Sequence, residues 1–277
     1  MSGAGNDFIL FDKKINPDIE LDAELINKIC QRRTGIGADG VLLIENNDGS
    51  KYTVKYFNSD GSTGSLCANG ARCAIKYGKE SGRFGFQTAD FIVNGTCYSG
   101  QVFENGLVKF NLAEPKDLKR NFKIKAGGQL INASYVNTGS PHVVINVSDV
   151  LHDNRKPNSF FGEISELPVF DLGREIRYSP DFAPEGTNVN FIQVENGKIK
   201  IRSYERGVEE ETLSCGTGSV ASAIVSFINV GLQPPITLLA KSGAELVVDF
   251  KYRDNQFKDL SITGPADITF KGELTIN

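Results

Sequence analysis

Residues 67–75 read Cys-Ala-Asn-Gly-Ala-Arg-Cys-Ala-Ile, and residues 215–223, 148 positions further on, read Cys-Gly-Thr-Gly-Ser-Val-Ala-Ser-Ala. Each segment opens a run of small and aliphatic residues with helical periodicity, expected over Asn69 to Lys79 and Thr217 to Asn229. Neither run has a charged face, and a helix without one is buried on most sides, here enclosed by sheet. Each copy follows a strand and a polar, turn-rich loop. Taken as an internal repeat, the pair means two similar halves, each with a cysteine at the start of its central helix. The bland alternative is a chance likeness between two helices of small residues.

Around these helices the chain reads as short strands and tight turns. Lys51 to Phe57 alternates polar and apolar residues, the period of a half-buried strand. Asn105-Gly106 and Asn196-Gly197 each separate two β-like runs, and Asn-Gly supplies the positive φ angles of a type I′ hairpin turn. Glu245 to Phe250, Leu260 to Thr263 and Asp267 to Phe270 read as further strands. Leu21, Leu25, Ile26, Ile29 and Cys30 line one face of a helix expected near 22–32, and Asp171 to Tyr178 reads as a short fourth. The fold class is therefore α+β, with strands outnumbering helices. The polar stretch Glu114 to Asn121 is a candidate linker. It places the halves at 1–114, open to completion by C-terminal strands, and 115–277.

Composition narrows the function. Of 277 residues, 40% are hydrophobic and 23% charged, the balance of a globular protein in water. A net charge of −4 argues against a nucleic-acid surface. The most apolar run, Val220 to Leu232, is broken by Ser222, Ser226 and Asn229, so no membrane span is expected. Without a visible secretory signal, the 5 cysteines are expected as reduced thiols in a cytoplasmic protein. A metal centre is not expected, since 2 histidines are few and Cys67 and Cys73 are too far apart for a zinc pair.

The chemistry points to Cys67 and Cys215. The first turn of a helix has backbone N–H groups without intrahelical partners and the positive end of the helix dipole. A cysteine there is the more readily ionised, and the same N–H groups bind anions, carboxylates included. Two such sites facing one another would hold a carboxylate with a thiol on either side. Inverting a stereocentre beside a carboxylate needs that arrangement: a base on one face, an acid on the other, and stabilisation of the carbanion between them. Cys30, Cys73 and Cys97 read as small packing residues. Arg206 could clamp a carboxylate and Glu205 an ammonium, though a surface ion pair would explain both. Asn6, Asn58 and Asn188 fit turns as readily as ligands, His142 a strand start, and Glu209-Glu210-Glu211 a solvated loop. Gly35-Ile-Gly-Ala-Asp-Gly leads into a strand at Val41, which makes it a poor dinucleotide fingerprint.

Gly3-Ala-Gly-Asn-Asp-Phe, Gly35-Ile-Gly-Ala-Asp-Gly, Phe57-Asn-Ser-Asp-Gly, the Cys67 motif, Ser140-Pro-His, Thr187-Asn-Val-Asn-Phe, Tyr204-Glu-Arg-Gly and Leu213-Ser-Cys-Gly-Thr-Gly follow one another along nearly the whole chain. In that order they resemble the diaminopimelate epimerases. The resemblance implies an isomerase that interconverts LL- and meso-diaminopimelate without pyridoxal phosphate or any other cofactor, for lysine and peptidoglycan synthesis. It implies two pseudo-symmetric halves, each a β-barrel-like sheet around a central helix, with the active site in the cleft, and a homodimer. Matched residue by residue, it makes Cys67 and Cys215 the acid and base. Ala68, Asn69, Gly216 and Thr217 become the carboxylate contacts. Asn6, Asn58, Asn188 and Arg206 would hold the distal end of the substrate, with Glu205 and His142 near the reacting carbon. Ala68 stands where the family has Gly, and Ser140 where many members have a substrate-binding Asn. The family also has a strand ahead of Gly3, for which Met1 leaves no room, so the start is expected to be truncated or misassigned. The rival readings are another cofactor-independent amino-acid racemase, a thiol-redox protein and a non-catalytic amino-acid-binding protein.

Overall fold

The structure, a computed structural model, describes residues 1–46, 51–64, 67–84 and 88–275. The chain divides into two compact units, residues 1–110 with 263–277, and residues 111–262. Within each unit the same sequence of connections is built.

In the first unit the strands run in the order β1 (Ser2–Gly3), β2 (Asn6–Asp12), β3 (Gly40–Asn46), β4 (Tyr52–Asn58), β5 (Thr88–Val93), β6 (Thr96–Val102) and β7 (Val108–Asn111). β2 and β3 are parallel, β3 and β4 antiparallel, β4 and β5 parallel, β5 and β6 antiparallel. Parallel neighbours need a crossover, and each crossover carries a helix. Helix α1 (Ala23–Cys30) joins β2 to β3, and α2 (Ala68–Glu80) joins β4 to β5. Asp22 caps α1 by accepting a hydrogen bond from the Leu25 N–H at 2.8 Å. Ile26, Ile29 and Cys30 pack with Val41 of β3, and α2 packs against β1, β2, β3, β5 and β6. Val41, Leu42, Leu43 and Ile44 are all buried, as expected of a strand covered on both faces. Glycine allows the close enclosure of α2: a Cβ on Gly100 of β6 would fall 2.2 Å from the Ile75 Cδ1.

The second unit orders its strands β16 (Gln256–Gly264), β15 (Glu245–Arg253), β14 (Ile236–Leu239), β12 (Lys198–Glu205), β11 (Asn188–Glu195), β10 (Pro141–Asn146), β9 (Gln129–Asn137) and β8 (Lys116–Ala126), with β13 (Glu210–Thr212) beside β12. β10 and β11 are parallel and joined through α3 (Val169–Arg177); β12 and β14 are parallel and joined through α4 (Gly216–Val230). Antiparallel pairs β11–β12 and β14–β15 complete the series. Thus α3 repeats α1 and α4 repeats α2. Val220, Ala221, Ser222, Ala223 and Ile224 of α4 are all fully buried.

The α+β class holds, and each helix read from periodicity lies within a few residues of its expected place. Four local expectations are corrected. Asp267 to Phe270 is not a strand: Asp267 makes one isolated bridge to Ser2, and Phe270 is exposed. Alternation gave the right period there, but a strand also needs an edge to pair with, and β1 ends at Gly3. The candidate linker is mostly strand, since β8 begins at Lys116. Its register shifts between Lys116 and Phe122, where Asp117 and Asn121 adopt φ of 56° and 50°, and this bulged backbone hides the strand period. Asn196-Gly197 has the positive φ pair of its expected turn, and so does Asn94-Gly95 between β5 and β6, which sequence reading passed over. At Asn105-Gly106, by contrast, Gly106 alone has positive φ, so that turn is not type I′. The acidic run Glu209 to Glu211 is not a solvated loop. Glu209 pairs with Arg177 and Glu211 with Arg202 and Lys241. Burial opposes its ionisation, yet hydrogen bonds from Arg202 and Lys241 hold the Glu211 carboxyl below the usual range.

Candidate active site

Cys67 is the N-cap of α2 and Cys215 the N-cap of α4. Both adopt extended backbone angles, φ −82° and ψ 121° for the first, φ −113° and ψ 109° for the second. Each cap carbonyl accepts the first helical bond, from Ala71 N at 2.8 Å and from Ser219 N at 2.9 Å. Beyond this shared backbone, the surroundings differ.

In the first unit, Ala68 and Asn69 form the opening turn of α2 and are buried. The Asn69 amide donates to Asn6 Oδ1 in a short contact, and its Oδ1 accepts from Arg72 Nη2 at 2.8 Å. Asn6 in turn donates to Asp39 at 2.9 Å, and Asp39 is also bonded by Arg32. The glycine loop that looked like a failed nucleotide fingerprint therefore delivers Asp39 as the anchor of Asn6. Arg72 is fully buried, and its remaining partners are the backbone carbonyls of Ala68 and Pro265. Among the described residues no carboxylate pairs with it. Burial lowers the guanidinium to about 10, offset in part by the thiols of Cys73 and Cys67. Asn58, at the end of β4, donates to Ser62 Oγ at 2.9 Å within a turn. Cys73 packs as expected, its thiol pushed up to about 12 by burial, and Cys30 rises to about 11 for the same reason. Cys97 is the exception, exposed on β6 with Lys51 Nζ 3.4 Å from its sulfur.

In the second unit, Cys215 Sγ accepts from Gly218 N at 3.4 Å and lies 3.8 Å from Thr217 Oγ1. The Thr217 hydroxyl lies 2.9 Å from His142 Nε2, and the carbonyl of Thr217 is held by Thr138 at 2.9 Å. His142, the second residue of β10, is fully buried, and burial, with the charge of Arg206, lowers it to about 3, so it is neutral at pH 7. Its Nδ1 meets the Asn190 amide at 3.1 Å. Asn188 is 4% exposed and spends both ends of its amide on backbone: Nδ2 donates to the Pro141 carbonyl, and Oδ1 accepts from Arg206 N, both at 2.9 Å. It fixes the Tyr204-Glu-Arg-Gly turn. Arg206 keeps a half-buried guanidinium with one bond to the Glu185 carbonyl at 3.3 Å, and the Glu205 carboxylate accepts from Thr212. Gly216 opens α4 and is buried.

The expected residues thus fall into two groups by unit. Cys67, Ala68, Asn69 and Asn6 gather at the start of α2, with Asn58 at the end of β4; Cys215, Gly216, Thr217 and His142 gather at the start of α4, with Asn188, Glu205 and Arg206 about the end of β12. Sequence reading missed Asp39, Arg72, Thr138 and Asn190. Arg72 and Asn190 carried a signal, being polar residues inside runs otherwise destined for burial. Among the described residues, no group of three or more His, Cys, Asp or Glu side chains is placed to hold a metal ion, and no helix is long and apolar enough to cross a membrane.

The family model described as diaminopimelate epimerase matches residues 1–95 and 134–268. The diaminopimelate epimerase of Aquifex aeolicus is 37% identical, over 99% of this chain and 96% of that protein. The one from Chlorobaculum tepidum is 34% identical over the full length of both. Among solved structures, a phenazine biosynthesis protein of the PhzF family from Bacillus anthracis superposes with a TM-score of 0.67 at 14% identity, over 96% of this chain and 92% of that one. A probable proline racemase from Agrobacterium radiobacter gives 0.66 at 12%, over 91% and 81%. At such identities these two show a shared fold.

Proposed function

The chain belongs to the diaminopimelate epimerase family, and from that premise we propose how its residues perform the reaction. The protein is an isomerase that interconverts LL- and meso-diaminopimelate, a step of lysine biosynthesis. The two epimers differ at one carbon that carries both an ammonium and a carboxylate, and its C–H bond is too weakly acidic to ionise unaided. In our reading one cysteine, as thiolate, takes the proton from one face while the other, as thiol, donates a proton to the opposite face. The electron pair left by the broken C–H bond spreads into the carboxylate and is recovered in the new C–H bond. Cys67 and Cys215 fill these roles, and which one abstracts depends on the epimer bound. The N–H groups of the two helix starts, at Ala68, Asn69, Gly216 and Thr217, stabilise the charge that grows on the carboxylate.

Arg206 and Asn58 recognise the distal zwitterion, while Asn6 and Asn188, whose amides are held within the protein, act by fixing Asn69 and the Arg206 backbone. Glu205 and His142 stand beside the acid–base chemistry without themselves moving the substrate proton. A cofactor-independent, cytoplasmic homodimer completes the proposal, the dimer to be checked by light scattering. The observation that carries the reading is the repeated N-cap cysteine: one on each of two topologically equivalent, enclosed helices. The test is incubation of LL-diaminopimelate in deuterium oxide with no added cofactor. Appearance of the meso epimer with deuterium at the inverted carbon is expected. Full turnover by either Cys67→Ala or Cys215→Ala would end the two-base mechanism.

A further inference from the structure

Asn190 is the second asparagine of Thr187-Asn-Val-Asn-Phe and lies fully buried on β11. Its amide orientation is dictated by its neighbours. Nδ2 sits 3.1 Å from the Val143 carbonyl oxygen, which can only accept, while Oδ1 accepts from the Ser203 hydroxyl at 2.9 Å. The same Nδ2 therefore presents its second hydrogen to His142 Nδ1 at 3.1 Å. An imidazole nitrogen that accepts carries no proton, so a neutral ring must carry it on the other nitrogen. That nitrogen, Nε2, donates to Thr217 Oγ1 at 2.9 Å. With its lone pair so engaged, the Thr217 hydroxyl is left with its own proton to give, and Cys215 Sγ lies 3.8 Å away. Packing keeps the parts in place. A Cβ on Gly218 would fall 2.2 Å from Asn190 Oδ1 and 3.1 Å from the Cys215 sulfur, so glycine is what lets the amide lie against the helix start.

We propose that Asn190 is a positioning residue for Cys215: it locks His142 in the Nε2–H tautomer, which turns the Thr217 hydroxyl toward the Cys215 sulfur. The Thr217 hydroxyl and the Gly218 N–H then form two fixed donors to the Cys215 thiolate, and hydrogen bonds to the charged form favour it. His142 transfers no proton in this scheme; it works as a rigid neutral donor. Arg206, at the end of β12, is a nearby charge acting on His142 and disfavours its protonation. Only the consequence for turnover rests on the epimerase reading.

The first test is therefore independent of activity. The chain has 2 histidines, so long-range proton–nitrogen spectra of the labelled full-length protein resolve both rings, and His152→Gln assigns them. His142 is expected to show a protonated Nε2 and a bare Nδ1, unchanged from about pH 8 to about pH 5. An Nδ1–H tautomer, or titration near 6.5, overturns the proposal. Next, the pH midpoint of Cys215 alkylation by iodoacetamide is read by mass spectrometry of the peptide. Thr217→Val should raise it by about one unit, and Thr217→Ser should restore it. An unchanged midpoint in Thr217→Val overturns the relay. Asn190→Ala should raise it likewise, but this variant risks misfolding through the orphaned Val143 carbonyl, so the Thr217 pair decides. In the epimerase assay Thr217→Val should lower kcat about tenfold, with Thr217→Ser rescuing it. A correct tautomer and midpoint in a protein that does not epimerise would leave the relay standing and sink the proposed function; turnover with the wrong tautomer would do the reverse.

Discussion

The starts of α2 and α4 share a plan and differ in its chemistry. In each, the cap is cysteine, and the second residue of the helix is bonded by a side chain at the start of a strand, within its first two residues: Asn69 by Asn6, Thr217 by His142. The sixth residue of the repeat then separates them, since Arg72 buries a guanidinium where Val220 buries an aliphatic side chain. One half-site thus holds a fixed positive charge within an amide network, the other a neutral imidazole and a hydroxyl. A duplicated backbone can keep two thiols in equivalent positions while side chains give them unequal environments. Repulsion between two nearby thiolates is enough to leave one of a coupled pair protonated, and unequal surroundings bias which one that is.

Removing each sulfur in turn tests whether the two helix starts share one chemistry. Cys67→Ala and Cys215→Ala are each expected to cost roughly 10²–10⁴-fold or more in epimerisation, measured by resolving the stereoisomers. A tenfold loss in one and complete loss in the other would mean that the halves do not share the chemistry. A second variant sharpens the charge difference. Arg72→Met makes the α2 start resemble that of α4, and should raise the pH midpoint of Cys67 alkylation by about one unit while leaving that of Cys215 in place.

The buried imidazole should show in stability. Its folded value near 3 lies below the ordinary 6.5, so between those limits the unfolded chain binds a proton that the native protein does not. Stability then rises with pH across that window and is lost as pH falls, by at most about 1.4 kcal/mol per unit. The melting temperature of the wild type should fall more steeply with acid than that of His142→Asn. The smallest effect concerns packing. Among the described residues, Ser222 and Ser226 bury hydroxyls that find no hydrogen-bond partner in α4, where α2 has Ala74 and Gly78. Ser222→Ala should stabilise by about 0.5–1 kcal/mol, seen as a rise of about 2 °C in thermal melts, because an unpaired hydroxyl and a weaker helix former both go.

Much of this was legible in the chain. Helices α2 and α4 showed as runs of small residues without a charged face, and the hairpin at Asn196-Gly197 showed because a two-residue turn is local chemistry. Cys67 and Cys215 stood out through their repeated position. The strand β8 did not show, because Asp117 and Asn121 interrupt its period with left-handed backbone. Asp39 was hidden in a glycine loop that resembled something else, and Cys97 looked like a core thiol until its strand face proved exposed.

Periodicity, turn residues and the duplicated cysteine motif determined the α+β class, the enclosed helices and the two sulfurs at helix starts, since each of these depends on neighbours in the chain. Tertiary structure alone decided what each polar group would face. Asn190 meets His142 from 48 residues away, and Asn69 meets Asn6 from 63. A hydrogen bond depends on distance and direction in space, and the partners of Asn188 and His142 come from elements that the linear order keeps apart.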